Sequence, residues 1–175
     1  ETKKYVEDKL TEFGIPFVKN KTDDGLIATI EGKKKGKVIA LRADMDALPI
    51  KELNDVDYIS KHEGCMHACG HDTHMAMLLG AAKVINENKD KLSGTVKLFF
   101  QTDEEGASGA RRMCQEGCMK GIDAVFGTHI GTIISKDIPV GTVICAPGCV
   151  MASFDKFVIK VKGNGCHGSK GCGSN

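Results

Sequence analysis

Between residues 65 and 74 the sequence reads CMHACGHDTH, which places Cys69, His71, Asp72 and His74 within six positions. A thiol and an imidazole two residues apart can face one point from an extended turn, and both are good ligands for zinc and other late divalent metals. A helix N-terminus directly behind them would favour the thiolate form of Cys69. The triplet C-G-H is a weak signal by itself. Cys65, Cys69, His71 and His74 offer a second arrangement, a compact structural zinc site, but the loop and second ligand pair such sites use are missing. His74 lies three residues beyond His71 on a predicted helix, where packing or support of a ligand suits it better than coordination.

Two further segments and one histidine carry matching chemistry. "DEEG" at 103–106 sets Glu104 beside Glu105 at a strand-to-helix turn. Adjacent acids there can divide the work, one coordinating metal while its neighbour takes a proton from water. Alone, the motif reads more simply as a solvated acidic turn. "RADMD" at 42–46 supplies Asp44 and Asp46 after an apolar strand, or a turn with a surface ion pair to Arg42. His129, at the end of "VFGTH", is by itself a satisfied core histidine.

The elements decide whether these segments meet. Val6, Leu10 and Phe13 recur at helical spacing before Gly14, so residues 2–13 form a predicted helix. "GLIATIEG" and "KVIALRAD" are two strands joined by the lysine-rich turn at 33–37. A helix runs from Asp72 to about Asn88, with Asp72 or Thr73 as N-cap. "GTVKLFFQ" (94–101) is a strand buried on both faces. A short helix at 107–116 closes at Gly117, and "DAVFGTHI" (123–130) is another buried strand. This alternation predicts an α/β sandwich with a mixed, largely parallel sheet, in which ligands gather at the carboxyl ends of strands. Asp44, Asp46, Glu104, Glu105 and His129 all stand at or just past such ends, which would bring them to one rim. "GTVICAPG" and "SFDKFVIKVKGNG" read as β segments. A second unit is expected from residue 153, leaving residues 1–152 as the metal-binding part and 153–175 as the start of a smaller domain.

Bulk properties narrow the classes. The chain has 175 residues, 41% hydrophobic and 27% charged, as ordinary globular proteins do. Its 24 Lys and Arg nearly cancel 23 Asp and Glu, so no global field draws nucleic acid or an anionic membrane. No apolar run reaches the roughly 18–20 residues of a membrane span, and "ETKKYVEDKL" lacks a signal-peptide core. A cytoplasmic location follows as the expectation. The eight cysteines are unevenly spaced and read as reduced thiols.

"LRADMDALPI", "MHACGHDTHMAMLLGAAK", "GTVKLFFQTDEEGASGARRM", "DAVFGTHI" and "MASFDKFVIKVKGNGCHG" occur in that order. Together they resemble the N-acyl-amino-acid amidohydrolase family: aminoacylase- and hippurate-hydrolase-like metallopeptidases, including plant auxin-conjugate hydrolases and bacterial N-acetyl-diaminopimelate deacetylases. The resemblance covers the chain to about residue 168. It implies a catalytic domain with two divalent metals (zinc, manganese, cobalt or nickel) and a smaller α+β lid that also makes a homodimer. Cys69 falls at the family's metal-bridging position, and His71, Glu105 and His129 match further ligands. Glu104 matches the general base and Asp46 the acid that orients the site. His167 matches a lid histidine that polarises the scissile carbonyl, often across the dimer.

The implied reaction is removal of an N-acyl group from an N-acyl amino acid or related small amide by activated water. A dipeptidase or exopeptidase of the same fold, a non-catalytic metal- or peptide-binding module, and a thiol enzyme using Cys69 with His71 as base are the alternatives. The sequence departs from the family in several places. The family's acidic helix and His-x-x-Pro-Glu segment are absent, and its last metal-binding histidine lies beyond residue 175, so a chain truncated at both ends is expected. Thr102 and Asp103 replace the usual Pro-Ala, which would add negative charge near the metals. "GCHGSKGCGSN" departs from the family's Gly-His-Gly-Ala-x-Pro-His.

Overall fold

Val6 and Leu10 sit one turn apart and are fully buried, which seats α1 (Thr2–Glu12) on the core by one face. The computed structural model describes residues 1–22, 25–131, 135–149, 152, 153, 155, 157–163, 165, 167 and 169. After α1 come β1 (Phe17–Lys19), β2 (Leu26–Glu31), β3 (Lys34–Asp44), α2 (His71–Glu87), β4 (Ser93–Gln101), α3 (Gly109–Gln115) and β5 (Ala124–Gly127). The expected helices and strands are therefore present in residues 1–130, with shifts at their ends.

The five strands form one mixed sheet in the order β1-β2-β4-β3-β5. β1 and β2 pair antiparallel, as do β2 and β4, whereas β3 runs parallel to both β4 and β5. Alternation along β4 divides its apolar run between two layers. Val96, Leu98 and Phe100 pack into the core shared with α1 and α2, while Phe99 packs with Ala40 and with Met113 of α3. This is an α/β sandwich, with β4 central because both its faces are covered.

The lysine-rich stretch expected as a turn at 33–37 lies mostly within β3, and β2 and β3 are not paired to each other, since β4 lies between them. The link between β2 and β3 instead crosses the start of β4, where Gly32 N–H donates to Gly94 O at 2.9 Å. The backbones pass so closely that a Cβ on Gly36 would stand 2.7 Å from Gly94 N, and one on Gly94 2.1 Å from Lys37 O. Gly94 also has φ +102, a region that excludes most side chains. The lysines themselves are exposed.

β5 corrects the expectation of a buried strand over 123–130. It is four residues long and mostly exposed, with Phe126 at 58%. It lies at the sheet edge, and no strand pairs with its outer side among the described residues.

Residues 135–175 form a separate unit from residues 1–134. Its described residues lie in no helix or strand, and Val143, Phe157, Val158 and Ile159 are exposed. The expected β segments at 141–148 and 153–165 are thus not formed among the described residues. Several positions of the second segment lie outside the described residues. No helix of the described residues is long and apolar enough to cross a membrane.

Candidate metal centre

The parallel register sets Asp44 opposite Gln101 and Arg42 opposite Gly127. β3, β4 and β5 therefore end at one rim. Asp44 closes β3, Asp46 lies two residues on, the Glu104–Glu105 turn follows β4, and His129 follows β5. α2 starts at the same rim. Its N-cap is Gly70, in the left-handed region at φ +79, rather than Asp72 or Thr73. A Cβ on Gly70 would come 2.6 Å from Ile130 Cδ1, so this turn favours glycine for conformation and space. Asp72 lies in the first turn, and Thr73 Oγ1 donates to the Gly70 carbonyl at 2.7 Å.

His71 begins the helix and is 1% exposed. Its Nε2 faces three carboxylates: Asp44 Oδ2 at 3.6 Å, Glu105 Oε1 at 3.7 Å and Glu104 Oε2 at 3.9 Å. Its Nδ1 faces Asp46 Oδ1 at 3.5 Å. Neither ring nitrogen has a hydrogen-bond partner although both are buried, an arrangement that costs free energy unless something else fills it. Nitrogen and oxygen ligands of one cation, each about 2.1 Å from it, stand roughly 3–3.5 Å apart. The carboxylates around His71 Nε2 are near that spacing, so they fit a metal.

Three groups of donors lie close enough to hold an ion: Cys69, His71 and His129; His71, Glu104 and Glu105; and Asp44, His71 and His74. His71 is common to all three. Cys69 Sγ lies 3.4 Å from His129 Nε2. Glu104 and Glu105 remain partly open, with side chains 39% and 30% exposed. The Glu105 N–H donates to Asp46 Oδ2 at 3.0 Å, which ties the acidic turn to the end of β3.

Burial pushes the Cys69 thiol up to about 11, with the hydrogen bond and charge of Glu105 and the charges of Glu104 and Asp44 adding to it. In the metal-free chain, burial and three nearby carboxylates thus act against the thiolate that a helix N-terminus favours. Burial also raises Asp44, but the hydrogen bond from His74 and the charge of Arg42, with lesser electrostatic contributions from His71 and His74, outweigh it and hold the carboxyl below its ordinary value. Arg42 does pair with Asp44, at 2.9 Å, yet the acid is wholly buried rather than on a surface turn.

His74 and Asp44 form a link that spacing alone did not reveal. His74 Nδ1 donates to Asp44 Oδ1 at 2.7 Å, and its Nε2 accepts the Ile130 N–H at 2.9 Å. The helical offset from His71 to His74 was the available signal, since it puts both imidazoles on the buried face of α2. Among the sequence-predicted site residues, Asp46, Cys69, His71, Glu104, Glu105 and His129 come together at this rim. Cys65 joins none of the three donor groups. His167 belongs to the other unit, where its exposed Nδ1 lies 2.8 Å from Ser169 Oγ.

Comparisons with known proteins agree with this geometry. The chain is 46% identical over 167 residues to an N-acetyl-L-cysteine deacetylase of Bacillus subtilis, covering 95% of this chain and 39% of the relative. It is 47% identical over 171 residues to thermostable carboxypeptidase 2 of Saccharolobus solfataricus, covering 96% and 42%. A solved structure from Bacillus subtilis, described as a dinuclear metal-binding peptidase of the M20 family, superposes with TM-score 0.74 at 42% identity. That superposition covers 80% of this chain and 38% of the other. The chain spans about two fifths of the length of these curated relatives. Residues 40–165 match peptidase family M20/M25/M40. That range holds both acids after β3, Cys69, His71, the paired glutamates and His129, and the chain belongs to this family.

Proposed function

We propose that this chain carries the metal-binding half-site of an amidohydrolase that removes the N-acyl group from an N-acyl amino acid or related small amide. Cys69, His71, Glu105 and His129 would hold two divalent ions, of zinc, manganese, cobalt or nickel. When bound, these ions supply Lewis acidity that makes water a nucleophile near neutral pH. The carrying observation is His71, buried with both ring nitrogens unpartnered and ringed by Glu104, Glu105, Asp44 and Asp46.

Each of the chain's own groups then has a task. Glu104 is open enough to meet water, accepts its proton and returns it to the leaving amine. Asp46 faces His71 Nδ1 and holds the Glu105 amide, so one carboxylate sets both the ring and the acidic turn. His167 would stabilise the oxyanion, and residues 153–175 would begin the lid through which the protein dimerises. Cys65, Cys69, Cys114, Cys118 and Cys145 are reduced thiols, which supports a cytoplasmic enzyme. A Cys69 nucleophile is disfavoured by the raised thiol, which keeps it protonated at neutral pH.

The relatives' names support a common bond type. A deacetylase for N-acetyl-L-cysteine and a carboxypeptidase both release an amino acid that carries a free carboxylate. The carboxypeptidase favours a second reading, an exopeptidase or dipeptidase. A panel of N-acyl amino acids against dipeptides with a free α-amine separates the two. Two bound metals with no hydrolysis of any amide would instead favour a non-catalytic module. Glu104→Gln is expected to leave metal content nearly unchanged and to lower turnover at least about 100-fold. Retention of most activity would show the mechanism to be wrong.

A further inference from the structure

Asp103 pairs its charge with Ser108 and Arg112, and it belongs to none of the donor groups. Its backbone lies in the left-handed region at φ +52, which Asp and Asn tolerate better than most side-chained residues. Its carboxylate accepts from Ser108 Oγ and from Arg112 Nη2, the latter at 2.9 Å, while Arg112 Nη1 donates to the Ser108 hydroxyl. The Asp103 carbonyl accepts the Gly109 N–H at 3.1 Å. Gly106 lies against the carboxylate so closely that a Cβ there would stand 1.9 Å from Oδ1. On the other side of the same turn, Asp46 accepts the Glu105 N–H.

Glu104 and Glu105 therefore hang between two anchors. We infer that Asp103 and Arg112 are positioning residues: the Arg112–Asp103–Ser108 bridge fixes the turn that delivers Glu105 to the metal. Metal affinity then depends on Arg112, although its side chain belongs to none of the donor groups. This inference rests on the reading of Glu105 as a metal ligand. Arg112 and Asp103 are 30% and 39% exposed, so the pair matters through geometry more than through its own strength as an ion pair. It also accounts for Asp103 in place of the family's alanine without added charge at the site, because the carboxylate is neutralised locally.

The sign of one substitution separates geometry from field. Removing the Arg112 cation leaves the neighbourhood more negative, which by electrostatics alone would tighten binding of a divalent cation. Loss of the bridge would weaken it. The experiment is titration of the metal-free chain with Mn²⁺ by calorimetry, with amide hydrogen exchange over 103–109 as a second readout. Arg112→Met and Asp103→Ala are each expected to weaken Mn²⁺ about 10-fold and to speed exchange. The double variant should be no weaker than either single one, as for two members of one bridge. Asp103→Asn, which keeps the tolerance for positive φ, should lose less than Asp103→Ala.

Glu105→Gln is the internal control, expected to weaken binding by more than any bridge variant. If it does, but Arg112→Met binds Mn²⁺ as tightly as the parent or more tightly, the bridge has no positioning role. If Glu105→Gln itself leaves affinity unchanged, the ligand assignment fails and takes the inference with it.

Discussion

Both nitrogens of the His74 ring are engaged, one as donor to Asp44 and one as acceptor from Ile130 N–H, and this fixes a neutral tautomer with the proton on Nδ1. The bond to Ile130 ties α2 to the residue after His129, and the bond to Asp44 ties it to the end of β3. His74→Ala would leave a buried carboxylate oxygen and a backbone N–H without partners, at a cost of about 2–4 kcal/mol. His74→Asn, whose amide can still donate toward Asp44, should lose less. Urea denaturation measures both, and a loss below about 0.5 kcal/mol for His74→Ala would mean that water replaces the imidazole freely. Ligand-type residues such as Cys69, His71 and Glu105 are legible in the sequence because their chemistry is unusual at short spacing. The Asp44–His74 bond joins residues thirty positions apart, and only the register of β3 against α2 creates it.

At the level of elements, hydrophobic periodicity located the helices and strands but not the neighbours of each strand. Two strands joined by a few residues suggest adjacency, yet β4 enters between β2 and β3. The clue lay in glycine placement, Gly32 and Gly36 on either side of the first residues of β3 and Gly94 at the start of "GTVKLFFQ", and it acquires meaning only once the chains cross. Gly94→Ala combines positive φ with a Cβ 2.1 Å from Lys37 O. It should destabilise by about 2–4 kcal/mol. Gly80, inside α2, offers the opposite sign: a Cβ there meets nothing within 4 Å. Gly80→Ala should therefore stabilise by about 0.5–1 kcal/mol through helix propensity. Denaturant midpoints for the two variants should move in opposite directions, and equal shifts would remove the crossing as the reason for glycine at 94. The exposure of β5 was illegible for a related reason, since "DAVFGTHI" is apolar but apolarity does not say whether an edge is covered.

Over the molecule as a whole, a net charge of +1 conceals a local cluster of acids. Asp44, Asp46, Glu104 and Glu105 are brought to His71 from two strand ends and held there near one another. Their mutual repulsion opposes folding of the metal-free chain, and a cation that binds only the folded arrangement relieves it while joining four segments. Stabilisation follows mass action: at about 100 times Kd it amounts to roughly 2.7 kcal/mol, or some 5–10 °C in Tm for a chain of this size. Mn²⁺ or Zn²⁺ should raise Tm accordingly, EDTA should reverse the rise, and Glu105→Gln should suppress it. Cys69 adds a proton to the balance. With its thiol pushed up to about 11, it is protonated at pH 8 and must lose its proton to bind as thiolate. Metal binding should then release about one proton per chain, with affinity rising as pH increases toward that value. Calorimetry in two buffers of different ionisation enthalpy reads the proton directly. A Tm shift without proton release would keep the metal site but remove Cys69 from its ligands, and the absence of any shift would remove the site.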